Sequence, residues 1–187
     1  IADHIICNTI IGQDTGATTT FLYLFQFREH IYEIYEEICG ARLTTNVGRI
    51  GGFERDFNDI AFAKINKFLK EFPVALREFE ALLNRNRIFI DRTAGVAAVT
   101  PEKALDYGWT GPLLRATGVD YDVRVSEPYS SYEDFDFEVP VGTSGDIYDR
   151  YLVRNEEMWQ SVRIIEQALE KLKNEPAGVF HADVPEY

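Results

Sequence analysis

The sequence has 187 residues, 45% of them hydrophobic and 13% aromatic, and a formal charge of −12. Such a chain is long and apolar enough for one domain with a buried core, which argues against disorder and against a clean two-domain split, and no stretch approaches the roughly 18 consecutive apolar residues of a spanning helix. The acidic balance, with no basic stripe, excludes a nucleic-acid surface; the acid concentrates in Glu33 to Glu37 and in SEPYSSYEDFDFEVP, which read as solvated or partner-facing surfaces.

The opening IADHIICNTIIG carries no signal or transit pattern and reads as part of a helix, as in a piece of a longer chain. From about Thr20 to Cys39, Phe27, Ile31, Ile34 and Ile38 line one helical face, and Gly40 is the expected stop. These two segments form a helical pair over residues 1–40. A Gly/Arg connection over residues 41–56 lies within CGARLTTNVGRIGGFERDF, Cys39 to Phe57. Over 57–84, Ile65, Leu69, Phe72, Leu76, Phe79 and Leu83 repeat at alternating steps of four and three, predicting a long helix that Pro73 kinks without ending. Asp56 is the expected N-cap, with Asp59 favouring the helix dipole. Within 85–142, TPEKALDYG predicts a short helix capped by Thr100, with Pro101 first and Gly108 past its end. DYDVRV and FDFEVPV alternate like strands across a Pro, Ser and Tyr-rich turn and predict a small hairpin. Over 143–175, Met158, Val162, Ile165, Leu169 and Leu172 mark a last long helix, begun by Thr143 with Asp146 and ended by Pro176 and Gly178, before a tail over 176–187. The expected fold is mainly α: a single helical domain with a four-helix-bundle core and a small β-hairpin or irregular region between the third and last long helices.

Cys7 and Cys39, the two cysteines, are far apart and flanked by isoleucine; they read as buried reduced thiols in a reducing compartment. A carboxylate-bridged metal site needs Glu-x-x-His on two helices, whereas this chain has the reverse order, His30-x-x-Glu33, without a second copy, so no metal site is expected. His4, His30 and His181 are scattered without zinc-ligand spacing and read as ordinary surface or capping residues. No G-x-S-x-G supports a nucleophilic serine. The Gly/Arg connection lacks a P-loop lysine and joins helix to helix rather than strand to helix, which argues against a nucleotide cradle. Gly51 and Gly52 are expected to let backbone approach closely, and Arg42 and Arg49 are left without a role.

ICGARLTTNVGRIGGFERDF resembles the GxRxxxxxxRxGG…D connection of the D-type subunits of NADH-quinone oxidoreductases, the large quinone-site subunits of respiratory complex I, themselves related to nickel-iron hydrogenase large subunits. DTGATTTF, NRIFIDRTAGV, ALDYGWTGPLLRATGVDYDVR, FDFEVPVGTSGDIYDRYLVRNEEM and SVRIIEQALEKL extend the resemblance, in order, over nearly the whole chain. It implies NAD-linked electron transfer from NADH through clusters in other subunits to a quinone, coupled to ion translocation. The implied place is the peripheral arm on the cytoplasmic side of a bacterial inner membrane. The terminal iron-sulfur cluster belongs to a neighbouring subunit, and two isolated cysteines could not ligate it. The implied partners are that cluster-bearing neighbour, the C-type subunit of the peripheral arm and the membrane-arm subunits at the quinone site.

By the same resemblance Asp14 falls at the acidic position that pairs with a quinone-ligating histidine and relays its protonation; the plain alternative is a helix-end or turn residue. Arg49 matches an arginine near the quinone cavity and the terminal cluster, where a permanent charge would stabilise developing negative charge; the alternative is a structural arginine on carbonyls of the preceding helix. Arg42 reads as more structural. Thr44 stands where the family commonly has a cluster-proximal histidine. Threonine does not titrate near neutral pH, which points to a pH-insensitive cluster and a lower-potential quinone such as menaquinone. The principal quinone ligands of the family lie upstream of Ile1, so this piece alone is expected to be inactive. A non-catalytic helical scaffold sharing the fold is the competing reading.

Overall fold

The computed structural model describes residues 1–176 and 178–184. In chain order its elements are α1 (Ala2–Asp14), α2 (Thr18–Cys39), β1 (Gly48–Arg49), β2 (Gly52–Phe53), α3 (Asp59–Leu83), α4 (Arg87–Thr93), α5 (Pro101–Asp106), α6 (Gly111–Arg115), α7 (Val123–Ser126) and α8 (Ile147–Asn174). The chain is mainly α, as its periodicity predicts, and the described residues include one small strand pair. α1 packs on α2, α2 on α3, α3 on α8 and α8 back on α1, closing a four-helix ring.

The seams read from sequence form the centre of that ring. Phe27, Ile31, Ile34, Ile65, Phe72, Leu76, Phe79, Leu83, Met158, Val162 and Leu169 are buried, while Ile38, Leu69 and Ile165 pack at the margin. Leu172, expected in the last seam, is exposed. Phe68 joins the core unannounced and stacks on Phe72 at 4.8 Å. α3 continues through Pro73 to Leu83; the missing proline N–H costs one backbone bond, and the buried Phe72, Ala75 and Leu76 on either side hold the segment helical.

The ends of the helices are set by short polar side chains. Gly40 stops α2 in the left-handed conformation, φ 75°. Asn58, not Asp56, caps α3: its extended backbone carries Oδ1 to Ala61 N at 2.8 Å, whereas the Asp56 carboxylate is taken by Phe57 N. Thr100 caps α5 as expected, with Pro101 in its first turn and Gly108 at φ 66°. At α8 the predicted Thr143 start is corrected. Asp146 is the cap, accepting from Asp149 N at 2.8 Å and from Gly95 N at 2.7 Å, and Asp149 reaches back to accept from Thr143 N and Ser144 N.

The strand pair does not lie between the third and last long helices. Asp122 accepts from Arg124 N at 2.9 Å and turns 123–126 into the helical turn α7, so DYDVRV is no strand. The FDFEVPV segment forms no strand, and α8 side chains serve its backbone: Gln167 and Gln160 accept from Asp136 N and Glu138 N at 2.9 and 3.0 Å. The hairpin forms instead inside the Gly/Arg connection, with Gly48 opposite Phe53 and Arg49 opposite Gly52. Gly51 and Gly52, at φ 97° and 143°, make the turn that L side chains resist. They also admit the chain near its C-terminal end, where Phe53 N donates to Phe180 O at 2.8 Å and Ala182 N to Gly51 O at 2.9 Å. A Cβ on Gly52 would run into the Phe180 carbonyl oxygen. The close backbone approach expected at these two glycines is therefore realised.

Candidate functional site

The residues singled out from sequence do not converge on one point. Asp14 is the last residue of α1, exposed, and makes no ion pair with a described residue. Arg42 folds back along α2, pairing with Glu29 and Glu36 and lying 5.1 Å over the Tyr32 ring. It therefore staples the Gly/Arg connection to that helix. Asp14 adjoins the first turn of α2, and at 1.5 Å per residue the helix between positions 18 and 29 spans roughly 16 Å, which separates it from Arg42.

Thr44 and Arg49 are exposed on the connection. Arg49 bonds no carbonyl at the end of α2. Its Nε and Nη2 donate to Glu54 Oε2 at 3.0 and 2.5 Å, across the hairpin, and this contact holds the Glu54 carboxyl below its ordinary value. A guanidinium has five N–H donors, so one carboxylate leaves several of them, on a half-exposed side chain, for another surface.

A second constellation, absent from the sequence reading, lies where α1, α6, α7 and α8 meet. Arg115, at the end of α6, is 6% exposed, and its Nε and Nη2 both donate to Glu157 Oε1, at 2.9 and 2.6 Å. Its Nη1 donates to Tyr121 O at 2.9 Å and sits 3.6 Å from Asp122. Arg124 grips Asp122 with Nε and Nη2 at 3.0 and 2.6 Å. His4 Nε2 lies 2.6 Å from the other oxygen of Glu157, so His4 is not the ordinary surface residue expected.

Buried charge is tolerated here because each carboxylate faces cationic or hydrogen-bonding partners. For Glu157, burial pushes the pKa up, but the His4 hydrogen bond and the Arg115 charge outweigh it and leave the carboxyl below its ordinary value. Asp122 is likewise lowered: burial opposes, and the bonds from Arg124 prevail. His4, Arg115, Tyr121 and Tyr129 line a cavity of about 510 Å³ together with Thr110 and Pro112. Glu157 and Arg115 are 42 positions apart and His4 and Glu157 are 153 apart, so no local spacing announces the cluster. The available signal was a carboxylate beside Met158 in an apolar seam, and an arginine between Leu114 and Ala116.

An iron-sulfur cluster does not fit this chain. Cys7 and Cys39 are half-buried rather than buried, and Cys39 Sγ is engaged with Tyr35 O at 3.2 Å. Among the described residues no group of three or more His, Cys, Asp or Glu side chains could hold a metal ion. No helix among them is long and apolar enough to cross a membrane.

Comparison with known proteins accounts for nearly the whole chain. Residues 14–186 match the family described as respiratory-chain NADH dehydrogenase, 49 Kd subunit. The chain is 68% identical, over all of its length, to a D-type NADH-quinone oxidoreductase subunit of Cytophaga hutchinsonii, of which it covers 48%. It is 70% identical over all of its length to the D-type subunit of Flavobacterium johnsoniae, covering 45% of it, and 50% identical over 99% of its length to that of Leptospira biflexa, again covering 45%. The chain thus spans about half the length of the curated relatives it matches.

Proposed function

This chain belongs to the 49 kDa-subunit family of respiratory-chain NADH dehydrogenases, and from that premise we propose that it is part of the quinone-reducing module of an NADH:quinone oxidoreductase. Electrons from NADH reach a quinone, menaquinone in this reading, beside an iron-sulfur cluster held by a neighbouring subunit, with ion translocation coupled to the transfer. The observation that carries the proposal is identity of 68–70% to relatives bearing that name, sustained over the full chain. In this reading the chain docks at the cytoplasmic face of the membrane, against the cluster-bearing neighbour, the C-type subunit and the membrane-arm subunits. The piece alone is inactive, since the remainder of the quinone pocket lies outside it.

The residue roles follow from chemistry and position. Arg49, with donors to spare on the exposed hairpin, supplies fixed positive charge toward the partner-held cluster and the quinone. Arg42 fixes the connection on α2 and so sets where that charge sits. Thr44, exposed on the same connection, contributes no titrating group. Asp14, exposed at the far end of α1, is free of described partners and so available to a histidine from another part of the pocket. Replacing Arg49→Met in the intact complex should lower NADH-driven quinone reduction while leaving NADH oxidation by an artificial acceptor unchanged. Loss of both activities would instead make Arg49 a structural residue, and retention of both would favour a non-catalytic scaffold.

A further inference from the structure

The His4–Glu157 pair has an arrangement that the roles above do not use. Glu157 is buried, and Arg115 occupies one of its oxygens with two N–H groups, so the carboxylate is ionised and only accepts. The 2.6 Å contact to its other oxygen therefore places the hydrogen on His4 Nε2. Nδ1 is then the lone-pair nitrogen of the neutral ring. It has no hydrogen-bond partner among the described residues, and unlike Nδ1 of His30 it is not sealed from solvent. The ring lines the cavity of about 510 Å³. A carboxylate behind one imidazole nitrogen, with an accessible lone pair on the other, is the arrangement by which histidine takes up and releases protons.

We propose that His4 is a proton-exchange site of this chain, serving quinone reduction and oriented by Glu157. Nδ1 takes one proton from water in the cavity, and the imidazolium that forms rests against the Glu157 carboxylate. His4 returns to neutral by passing that proton onward toward the quinone, with no other bond made or broken. The inference rests on the quinone-reducing function proposed above: one quinone takes two electrons, from NADH, and two protons to become a quinol. Glu157 of α8 contacts His4, and the charged and titratable groups that line the cavity with them are Arg115 of α6, Asp122 and Arg124 of α7, Tyr121 and Tyr129. Two carboxylates offset two guanidinium groups, so this shell is neutral with His4 neutral and carries one positive charge after uptake.

The test uses the intact complex in its membrane. In His4→Gln the side-chain amide still donates to Glu157 but holds no exchangeable lone-pair nitrogen. NADH-driven quinone reduction should fall roughly tenfold or more, with NADH oxidation by ferricyanide unchanged. In His4→Ala the vacated space opens into the cavity, and added imidazole should restore quinone reduction in proportion to its neutral form. Wild-type turnover in His4→Gln at every pH overturns the proposal. So does a loss in both variants that imidazole leaves untouched, because a purely structural link is not restored by a free base. Absence of NADH-driven quinone reduction in the wild-type membranes would strike the underlying functional reading instead, and is told apart by that control.

Discussion

Replacing Arg115→Met tests the energetic account of the buried charge cluster. The substitution keeps an unbranched side chain of comparable length but removes two N–H groups from Glu157 Oε1 and one from the Tyr121 carbonyl. Breaking a buried ion pair by deleting one partner costs about 3–5 kcal/mol, because the surviving charge is left without compensation in the interior. Here His4 still faces Glu157, and Arg124 still neutralises Asp122. The loss therefore belongs at the lower end, about 3 kcal/mol, which for a chain of this length is a fall of about 6–12 °C in unfolding midpoint. Urea and thermal unfolding followed by circular dichroism would measure it. The double replacement of Arg115 and Glu157 by methionine should recover most of the loss, since a buried pair exchanged for packed apolar groups is close to neutral. A cost below about 1 kcal/mol for the single variant, or a double variant less stable than the single one, would refute the reasoning.

The same cluster predicts an acid limb of stability. The folded-state pKa of Glu157 lies below its ordinary value of 4.5, so its contribution is fully present above pH 4.5 and is lost as pH falls through the folded value. Urea unfolding at a series of pH values should show that loss in the wild type and its absence in Glu157→Met. Gly52→Ala should release residues 180–182 from the hairpin, because the added Cβ meets the Phe180 carbonyl oxygen; hydrogen exchange at Phe53 and Ala182 amides should become rapid while the four-helix ring keeps its unfolding midpoint. In the intact complex, the midpoint potential of the partner-held cluster should vary little with pH near neutrality, and Thr44→His should introduce a slope. A steep slope in the wild type would contradict the role given to Thr44.

The four long helices were legible because their information is periodic and local. Ile65, Phe72, Leu76, Phe79 and Leu83 share a face in any helix, and the neighbouring helices needed only to cover it. The ends were less legible, because adjacent polar residues compete and backbone angle decides between them. Asp56 and Asn58 are both good caps, and it is Asn58 whose extended backbone carries its side chain over the first turn. The misplaced hairpin has the same origin one level up. The alternation of FDFEVPV states only that a segment presents two faces, not which group will bond its amides. Gln160 and Gln167, over 20 residues downstream on α8, do so.

The cluster at His4, Arg115, Asp122, Arg124 and Glu157 marks the limit of local reading. Each of these residues has an unremarkable neighbourhood in sequence, and each would be costly to bury without the others. Their meaning arises only once α6 and α7 are laid across α1 and α8. The short helices between α3 and α8 thereby acquire a purpose that their weak periodicity hides. α6 delivers Arg115 to Glu157 of α8, while the Arg124–Asp122 pair closes α7 on its own cap, so buried charge at Arg115 joins the apolar contact of Phe89 in fastening the irregular segment to the four-helix ring. A segment fastened in that way is specific about position, because a shifted register leaves charges buried and unpaired. That specificity is what a chain needs if it must hold His4 and its cavity fixed while partner surfaces form around the exposed hairpin carrying Arg49.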